Sequence, residues 1–387
     1  MTKWKEYKLS DLMQIKYGKD HKHLADGPYP LYGSGGIMRY VEKPLYNDAS
    51  ILIPRKGTLS NLFYLDKPFW SVDTMFYSII NKQLALPKYL YYTLKTFDLA
   101  SLNVGSAVPS LTTEVLNDVL VSVPDIDTQT AIAEILSSLD DKIELNNKIN
   151  QELESLAQTL FKQWFIDFEF PNENGEPYKS SGGEMVDSEL GEIPKGWEVK
   201  SLDEIADYLN GLALQKFPAQ EGEDYLPVIK IRELRQGITQ ASDKASTEVP
   251  DKYIIQNGDV LFAWSGSLMI DFWTNGVGAL NQHLFKVTSE NYPKWFYFYW
   301  TKYHLDEFIK IAESKATTMG HIQRKHLTEA KVTVPNSKHL SLFNDNFENI
   351  VESIISNREE NQELTNLRDT LLPKLISGEL EVKNVNF

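Results

Sequence analysis

The sequence predicts an α+β protein in which two similar α/β domains are separated by two long antiparallel helices that form a coiled coil. Three observations predict this pseudo-two-fold internal repeat: a helical heptad pattern that occurs twice, a strand-and-helix pattern that opens each half, and a closing strand before each long helix. Each pattern recurs at a nearly constant distance along the chain, as expected for a duplicated fold.

The first pattern is an apolar heptad repeat near residues 128–168, whose centre reads NQEL at 150–153 and again, 211 residues later, at 361–364. At that offset the apolar positions of the two copies coincide: Phe343 with Ile132, Ile350 with Leu139, Leu364 with Leu153, and Leu371 with Leu160. Apolar residues seven apart over about five heptads indicate a helix that packs against another helix. We therefore expect the two copies to pack against each other.

Polar residues interrupt the heptad stripe at four asparagines: Asn146, Asn150, Asn357 and Asn361. They could be a solvated break in the stripe. They could instead pair across an antiparallel seam and fix its register, because a buried amide is tolerated only when its hydrogen bonds are matched. The sequence leaves both interpretations open.

The second and third patterns belong to the globular parts. Four positions of the opening strand and helix recur after 193 residues: Trp4 as Trp197, Leu9 as Leu202, Leu12 as Ile205, and Gly18 as Gly211. Apolar runs at 50–53 and 259–262 predict buried strands that lead into glycine turns, and closing strands are predicted near 119–124 and 330–335. Since the offset grows from 193 to 211, the second part holds about 18 more loop residues, and different loops on one framework suggest different ligands.

These repeats define the predicted organisation of the chain. The expected segments are globular domains at 1–126 and 197–336, long helices at 127–170 and 337–377, a polar linker at 171–196 and a tail at 378–387.

Composition limits the classes of function. The chain has no cysteine, which excludes disulfides and thiolate metal sites. A signal peptide and a membrane-spanning run are both lacking, so a cytoplasmic protein without membrane contact is expected. The net charge of −15 argues against a nucleic-acid ligand. However, residues 127–196 hold 15 acidic and 5 basic side chains, so the acidity is concentrated on the helix and linker and leaves the globular parts near neutral.

The sequence predicts no catalytic residue and no metal site. The glycines at 33, 35 and 36 lack the spacing of a nucleotide-binding loop and predict a turn. No Asn/Asp-Pro-Pro-aromatic motif of an amino-methyltransferase is present. The nuclease-like spacing of Asp306, Glu313 and Lys315 falls in an amphipathic stretch, which predicts a solvated helix face. The histidines are scattered without carboxylates at metal-ligand spacing.

Polar, glycine-rich loops occur at matched places in both globular parts. Arg and Lys reach guanine edges and phosphates, Asn and Gln reach adenine edges, and Ser and Thr hold phosphates. Each loop alone is ordinary, but their recurrence favours double-stranded DNA as the ligand. The predicted contacts are Lys19, Lys22, Ser34, Arg55, Lys56, Ser106, Lys230, Arg232, Ser267, Gln282, His283, Thr318, Arg324 and Lys325.

Together with the duplication, four motifs make the chain resemble the specificity subunits of type I restriction-modification enzymes over nearly its full length. The motifs are LFKQWFIDF at 160–168, SELGEIPKGW at 188–197, VPSLT at 108–112 and LLPKLISGE at 371–379. One departure stands in the second half, where His321, Ile322 and Gln323 replace the Ser-Leu-Thr of the third motif.

The resemblance implies a non-catalytic subunit with two target-recognition domains, each of which reads half of a split DNA sequence. It also implies two methyltransferase subunits docked on the helices and carrying S-adenosylmethionine, with restriction and motor subunits completing the enzyme. The expected docking residues are Trp164, Phe165, Leu371 and Leu375, although Trp164 fits the helix seam equally well. The alternative is a coiled-coil scaffold with two domains that bind sugars or proteins, which the acidic net charge favours.

Overall fold

The structure is a computed structural model that describes residues 4–105, 108–314 and 320–384. The chain divides into two compact units, which are residues 1–143 with 364–387 (the first unit) and residues 144–363 (the second unit). Each unit holds one set of strands and short helices together with part of both long helices.

The first unit folds into small sheets with short helices against them. Its elements before the first long helix are β1 (Lys5–Lys8), α1 (Leu9–Leu12), β2 (Met13–Tyr17), β3 (Tyr29–Gly33), β4 (Gly36–Val41), β5 (Ser50–Pro54), β6 (Phe63–Leu65), β7 (Trp70–Ser71), β8 (Met75–Ile80), α2 (Pro87–Lys95), α3 (Thr113–Asn117) and β9 (Leu120–Val123). The strand orders are β2-β8-β5-β6 and β4-β3-β7, and β1 pairs with β9. These strand pairs are antiparallel except for β3 with β7. Strand β5 is buried on both faces, as its apolar run predicts.

The long helices are α4 (Ile126–Phe161), which ends in a π-helical turn over Lys162–Ile166, and α10 (Ser337–Ser377). Between them lie β10 (Met185–Ser188), β11 (Gly191–Pro194), β12 (Glu198–Ser201), α5 (Leu202–Ile205), β13 (Asp207–Asn210), β14 (Tyr225–Ile229), α6 (Ile231–Gln236), β15 (Lys244–Ser246), β16 (Ile254–Ile255), β17 (Val260–Ala263), β18 (Met269–Phe272), β19 (Gly278–Leu280), β20 (Leu284–Thr288), α7 (Lys294–Tyr303), α8 (Leu305–Ser314), α9 (Arg324–Glu329) and β21 (Lys331–Val334).

The second unit repeats the sheet topology of the first. Its order β13-β20-β17-β18 matches β2-β8-β5-β6, and β12 pairs with β21 as β1 pairs with β9. Its sheet β15-β14-β19-β16 matches β4-β3-β7 and carries β16 as an additional edge strand. The parallel pairing of β3 with β7 also recurs, as β14 with β19. The duplication predicted from the sequence is therefore confirmed at the level of strand order and direction.

Within each unit, α4 and α10 run antiparallel and share a core. In the first unit Ile132 and Leu136 of α4 belong to the same buried cluster as Leu375 of α10, and Arg368 Nη1 donates to Asp140 Oδ1 at 2.7 Å. In the second unit the buried ring of Trp164, just beyond α4, lies 4.9 Å from that of Phe343 in α10. The predicted helix-on-helix packing is confirmed.

The four stripe asparagines lie at the middle of the helix pair. Asn146 and Asn150 are buried, Asn146 Nδ2 donates to Asn361 Oδ1 at 2.9 Å, and Asn357 Nδ2 donates to Asn150 Oδ1 at 2.9 Å. The pairing interpretation is therefore correct, and the solvated break is excluded by the burial.

Two other predicted segments have defined structure. The segment predicted as a linker contains the β10–β11 hairpin, and Ile193 in it is buried in the core of the second unit. The nuclease-like pair Asp306 and Glu313 lies exposed on α8 while Phe308 and Ala312 are buried, which confirms a solvated helix face. Lys315 lies outside the described residues.

Candidate functional site

One edge of each unit is built on a glycine that directly follows the first strand of the four-stranded sheet. Gly18 N donates to Met75 O at 2.9 Å, and a Cβ there would lie 2.0 Å from Val72 O. In the second unit Gly211 N donates to Leu284 O at 3.0 Å, with a Cβ position 2.2 Å from a backbone oxygen. Only glycine permits this approach, which explains why the residue recurs.

The segment that follows β5 or β17 crosses the same edge and is held by matched backbone hydrogen bonds. Leu111 N donates to Arg55 O at 3.0 Å, and Ile322 N donates to Trp264 O at 3.1 Å. The bridge between Lys56 and Ser110 likewise recurs between Ser265 and His321. The His-Ile-Gln segment thus occupies the place of Ser-Leu-Thr in the first unit, so the loops are equivalent despite the different sequence.

In the first unit this edge gathers Ser34, Arg55 and Lys56. The Arg55 guanidinium lies 5.5 Å above the ring of Tyr17, and the Ser34 hydroxyl lies 3.7 Å from the Cβ position of Gly57. Lys19 and Lys22 are exposed on the loop that follows β2, and the Lys19 carbonyl accepts from Trp70 Nε1 at 3.1 Å. The structure therefore brings Ser34, Arg55 and Lys56 together, with Lys19 and Lys22 on the exposed loop that follows Tyr17.

The second unit carries different side chains at the same edge. Trp264 Nε1 donates to Asn210 Oδ1 at 2.9 Å, and the Ser265 hydroxyl lies 2.9 Å from His283 Nδ1. Gln282 and His283 also line a cavity of about 260 Å³ with Lys230 and Arg232. Ser267 is exposed on the turn between β17 and β18, beside a second cavity of about 380 Å³.

Two predicted cations of the second unit are engaged with acidic groups of the protein itself. Lys230 donates to Asp243 and holds the pKa of that carboxyl below its usual range. Arg232 donates to Glu233 Oε1 at 2.6 Å. Burial would raise the pKa of Glu233, but hydrogen bonds from Arg232 and Ser242 hold it below the ordinary value. A DNA phosphate would have to compete with these carboxylates for Lys230 and Arg232, whose role as DNA contacts stays a prediction.

The remaining predicted contacts lie near α9 or outside the described chain. Arg324 Nη2 donates to Tyr208 O at 2.9 Å and its guanidinium lies 5.6 Å over Phe285, so it braces the fold. Lys325 is exposed. Ser106 and Thr318 lie outside the described residues.

The docking residues predicted on the helices require a correction. Trp164, Phe165 and Leu375 are buried inside the core clusters, and Leu371 is half-buried. Trp164, Leu371 and Leu375 are apolar positions of the heptad pattern itself and therefore face the seam, whereas the Phe165 ring packs against Trp197 and Trp295 in the core of the second unit. Exposed apolar side chains lie instead at Leu145, Ile149 and Leu156 of α4.

The sequence reasoning missed several residues of the edge, among them Tyr17, Thr74 and Asn210. It also did not recognise that residues 281–283 are equivalent to residues 72–74. The first segment precedes Leu-Phe at 284–285 and the second precedes Met-Phe at 75–76, which is an offset of 209 residues. The buried strands at 50–53 and 259–262 have the same offset, so the sequence contained the signal for this equivalence.

Within the described ranges, no group of three or more His, Asp or Glu side chains could hold a metal ion. The same residues include no helix that is long and apolar enough to cross a membrane.

Comparison with known proteins identifies the family of this duplicated chain. The family model described as "Type I restriction modification DNA specificity domain" matches residues 1–155 and 194–366. The chain belongs to this family of type I specificity subunits. It is 29% identical over 405 residues to the MjaIX specificity subunit of Methanocaldococcus jannaschii, covering 99% of this chain and 90% of that protein. It is also 25% identical over 361 residues to the HindI specificity subunit of Haemophilus influenzae, covering 78% and 79%.

A solved structure shares the fold of this specificity subunit. The S subunit of a type I restriction-modification system from M. genitalium superposes with a TM-score of 0.61 at 18% identity, over 97% of this chain and 96% of that one. This specificity subunit is thus an α+β protein and the non-catalytic DNA-specificity component of a type I restriction-modification system. The scaffold alternative with non-DNA ligands is set aside by the same family match.

Proposed function

We propose that each unit of the specificity subunit reads one half of a bipartite DNA sequence. The observation that carries this proposal is the matched edge: Arg55 and Trp264 hold equivalent backbone positions, and the carbonyl of each accepts from the matching segment, but their side chains offer different chemistry. The two units share one backbone geometry at this edge but carry different side chains. Such a pair of domains is suited to contact two different base sequences along one DNA duplex.

The helices supply the spacing between the two half-sites. Helix α10 has 41 residues, and a helix of about that length spans roughly 60 Å, compared with about 34 Å for one turn of DNA. Because the two recognition domains are connected by helices of this length, the two half-sites should be separated by base pairs that neither domain contacts.

Two methyltransferase subunits would dock on the helices and carry S-adenosylmethionine, and restriction and motor subunits would complete the enzyme. The exposed side chains of Leu145, Ile149 and Leu156 support such docking. Their spacing of four and seven residues places them on one face of α4, which borders the face of the seam asparagines Asn146 and Asn150. An exposed apolar stripe of this kind suits the helices of a partner.

The test uses the subunit together with its methyltransferase. Methylation sites are mapped in genomic DNA from cells with and without this chain, and binding to duplex DNA is measured against salt. We expect a two-part motif with a constant gap, and affinity that falls steeply as salt rises. A single uninterrupted motif, or binding that ignores salt, contradicts the proposal.

A further inference from the structure

We propose that Arg55 reads a guanine in the half-site contacted by the first unit, and that Trp264 at the equivalent position of the second unit makes no such contact. This inference rests on the bipartite reading proposed above and assigns one base to one side chain. The equivalence of the two positions comes from the backbone pairing and does not depend on any DNA.

The backbone of Arg55 is fixed on both sides at the reading edge. Its N–H donates to Thr74 O at 2.9 Å, and its carbonyl accepts from Leu111 N at 3.0 Å. A residue held between two segments has little freedom to move its Cα. Its side chain therefore leaves the edge from a defined point.

The side chain of Arg55 is also oriented. Its guanidinium lies 5.5 Å above the ring of Tyr17, and that ring packs edge-on against Phe76 at 5.1 Å. Phe76 is fully buried, whereas Tyr17 is 50% exposed. The core thus supports an aromatic platform at the surface, and cation–π contact holds the guanidinium plane over it.

Arg55 keeps its hydrogen-bonding capacity free. Among the described residues, its Nε is buried and has no hydrogen-bond partner, and no carboxylate lies within ion-pair distance of its guanidinium. The terminal Nη1 and Nη2 are therefore the donors left for a ligand. The other arginines of the first unit are engaged: Arg39 with Asp26 at 3.0 Å, and Arg368 with Asp140 at 2.7 Å. An oriented arginine with unused donors is suited to a partner outside the chain.

Guanine is the base that fits this group. In the major groove it presents two acceptors, N7 and O6, which match the paired N–H donors of a guanidinium. A phosphate would also accept from arginine, but a phosphate contact carries no sequence information. The aromatic support fixes the plane of the guanidinium, which a coplanar base pair requires and a phosphate does not.

In the second unit, different residues stand at the positions of both Arg55 and Tyr17. Asn210 stands where the first unit has Tyr17, and its side-chain oxygen already accepts the Trp264 N–H at 2.9 Å. The Trp264 ring packs on Phe285 at 5.7 Å, the counterpart of Phe76. Trp264 therefore offers a ring face and no free donor, so hydrogen-bonded guanine reading is absent at this position.

The experiment compares Arg55→Gln and Arg55→Lys with the unchanged chain, each assembled with the methyltransferase subunit. Methylated sites are mapped across a genome, and binding is measured to duplexes that vary one base at a time. We expect one guanine of the first half-site to lose its preference by roughly ten- to hundred-fold in the glutamine variant. The second half-site and the gap stay unchanged.

Lys56→Gln is the matched control, since Lys56 is an exposed cation next in the chain. It should weaken binding to all sequences about equally and reduce the salt dependence, with the motif intact. Thermal melting checks that every variant is folded.

The possible outcomes separate this inference from the one it rests on. A bipartite motif that Arg55→Gln leaves unchanged overturns the guanine assignment and makes Arg55 a phosphate contact or a structural residue. An unchanged chain that yields no bipartite motif overturns the proposed function itself. As a second variant, Asn210→Tyr combined with Trp264→Arg should add a guanine preference to the second half-site, and a folded double variant without that gain also counts against the inference.

Discussion

Asn146 of α4 donates through Nδ2 to Oδ1 of Asn361 in α10, and the internal repeat maps this pair onto Asn357 and Asn150. Two like hydrogen bonds related by the repeat mark the local two-fold of the helix pair. A shift of either helix by one heptad would leave four amides without their partners, of which Asn146 and Asn150 are buried, so the asparagines select one register.

Replacement of one asparagine should cost more than replacement of a pair. Asn146→Leu removes the donor to Asn361 Oδ1 and should lower the free energy of unfolding by about 1–3 kcal/mol. Asn146→Leu combined with Asn361→Leu should recover much of that loss, because two apolar groups can pack where two amides paired. Urea denaturation of the three variants measures this, and strictly additive losses would show that the two amides are not coupled.

Arg358 should be a strong stabilising contact of the second unit. Its guanidinium donates to Glu154 Oε1 and to Asp271 Oδ1, each at 2.8 Å, and so connects α10 to α4 and to β18. Arg358→Met leaves two partly buried carboxylates without their cation and should destabilise by up to about 3–5 kcal/mol. The exposed Arg235 is the control, for which Arg235→Met should change stability by less than about 0.5 kcal/mol. Equal effects of the two substitutions would refute the assignment.

The stability of the second unit should fall between neutral and mildly acidic pH because of His339. The indole N–H of Trp197 donates to His339 Nδ1 at 3.0 Å, so this nitrogen must be unprotonated. Burial, with repulsion from Lys338, lowers the pKa of His339 below its ordinary value. The stability is therefore fully present above the unfolded pKa of about 6.5 and is lost as the pH falls through the folded pKa.

Thermal melting from pH 8 to pH 5 tests this for the unchanged chain and for His339→Gln, whose amide oxygen can still accept from Trp197. The difference in melting temperature should shrink as the pH falls. His304, whose pKa burial also lowers, contributes with the same sign in both proteins and cancels. A difference that is constant with pH would exclude His339 as the titrating group.

Longer helices should widen the unread gap. A heptad inserted after Ile143 in α4 and another after Glu363 in α10 keep the apolar stripe in phase and lengthen each helix by about 10 Å. That is about three base pairs of DNA. Methylation mapping should show the same half-sites with a longer gap. An insertion in one helix alone should destabilise the protein without producing that motif.

Charged residues on the exposed apolar face of α4, which is formed by Leu145, Ile149 and Leu156, should prevent assembly with the methyltransferase. Leu145→Glu combined with Leu156→Glu places two carboxylates on an exposed apolar face, so folding should be unaffected while association is lost. Gln151→Glu combined with Gln158→Glu adds the same charge on another exposed face of α4 and should leave assembly intact. Size-exclusion chromatography of the mixed subunits measures both, and full assembly of the leucine variant would move the docking surface elsewhere.

Much of the fold could be predicted because the relevant signals are local and repeated. The heptad stripe follows from helix period, and the recurrent Gly18 and Gly211 follow from a backbone approach that excludes a Cβ. The edge was harder to predict. Lys230 and Arg232 were predicted as DNA contacts, but they form ion pairs with Asp243 and Glu233 of the protein itself. Trp164 fitted the docking surface and the helix seam equally well, and its contact with Phe343 places it in the seam.

By itself, the sequence determined the duplication, the two long helices and the seam positions of the asparagines, because periodicity and composition act through neighbouring residues. The tertiary structure alone decided how the asparagines pair, which cations remain free, and that Arg55 and Trp264 are equivalent. Those outcomes depend on contacts between segments far apart in the chain, whose distances no local pattern encodes.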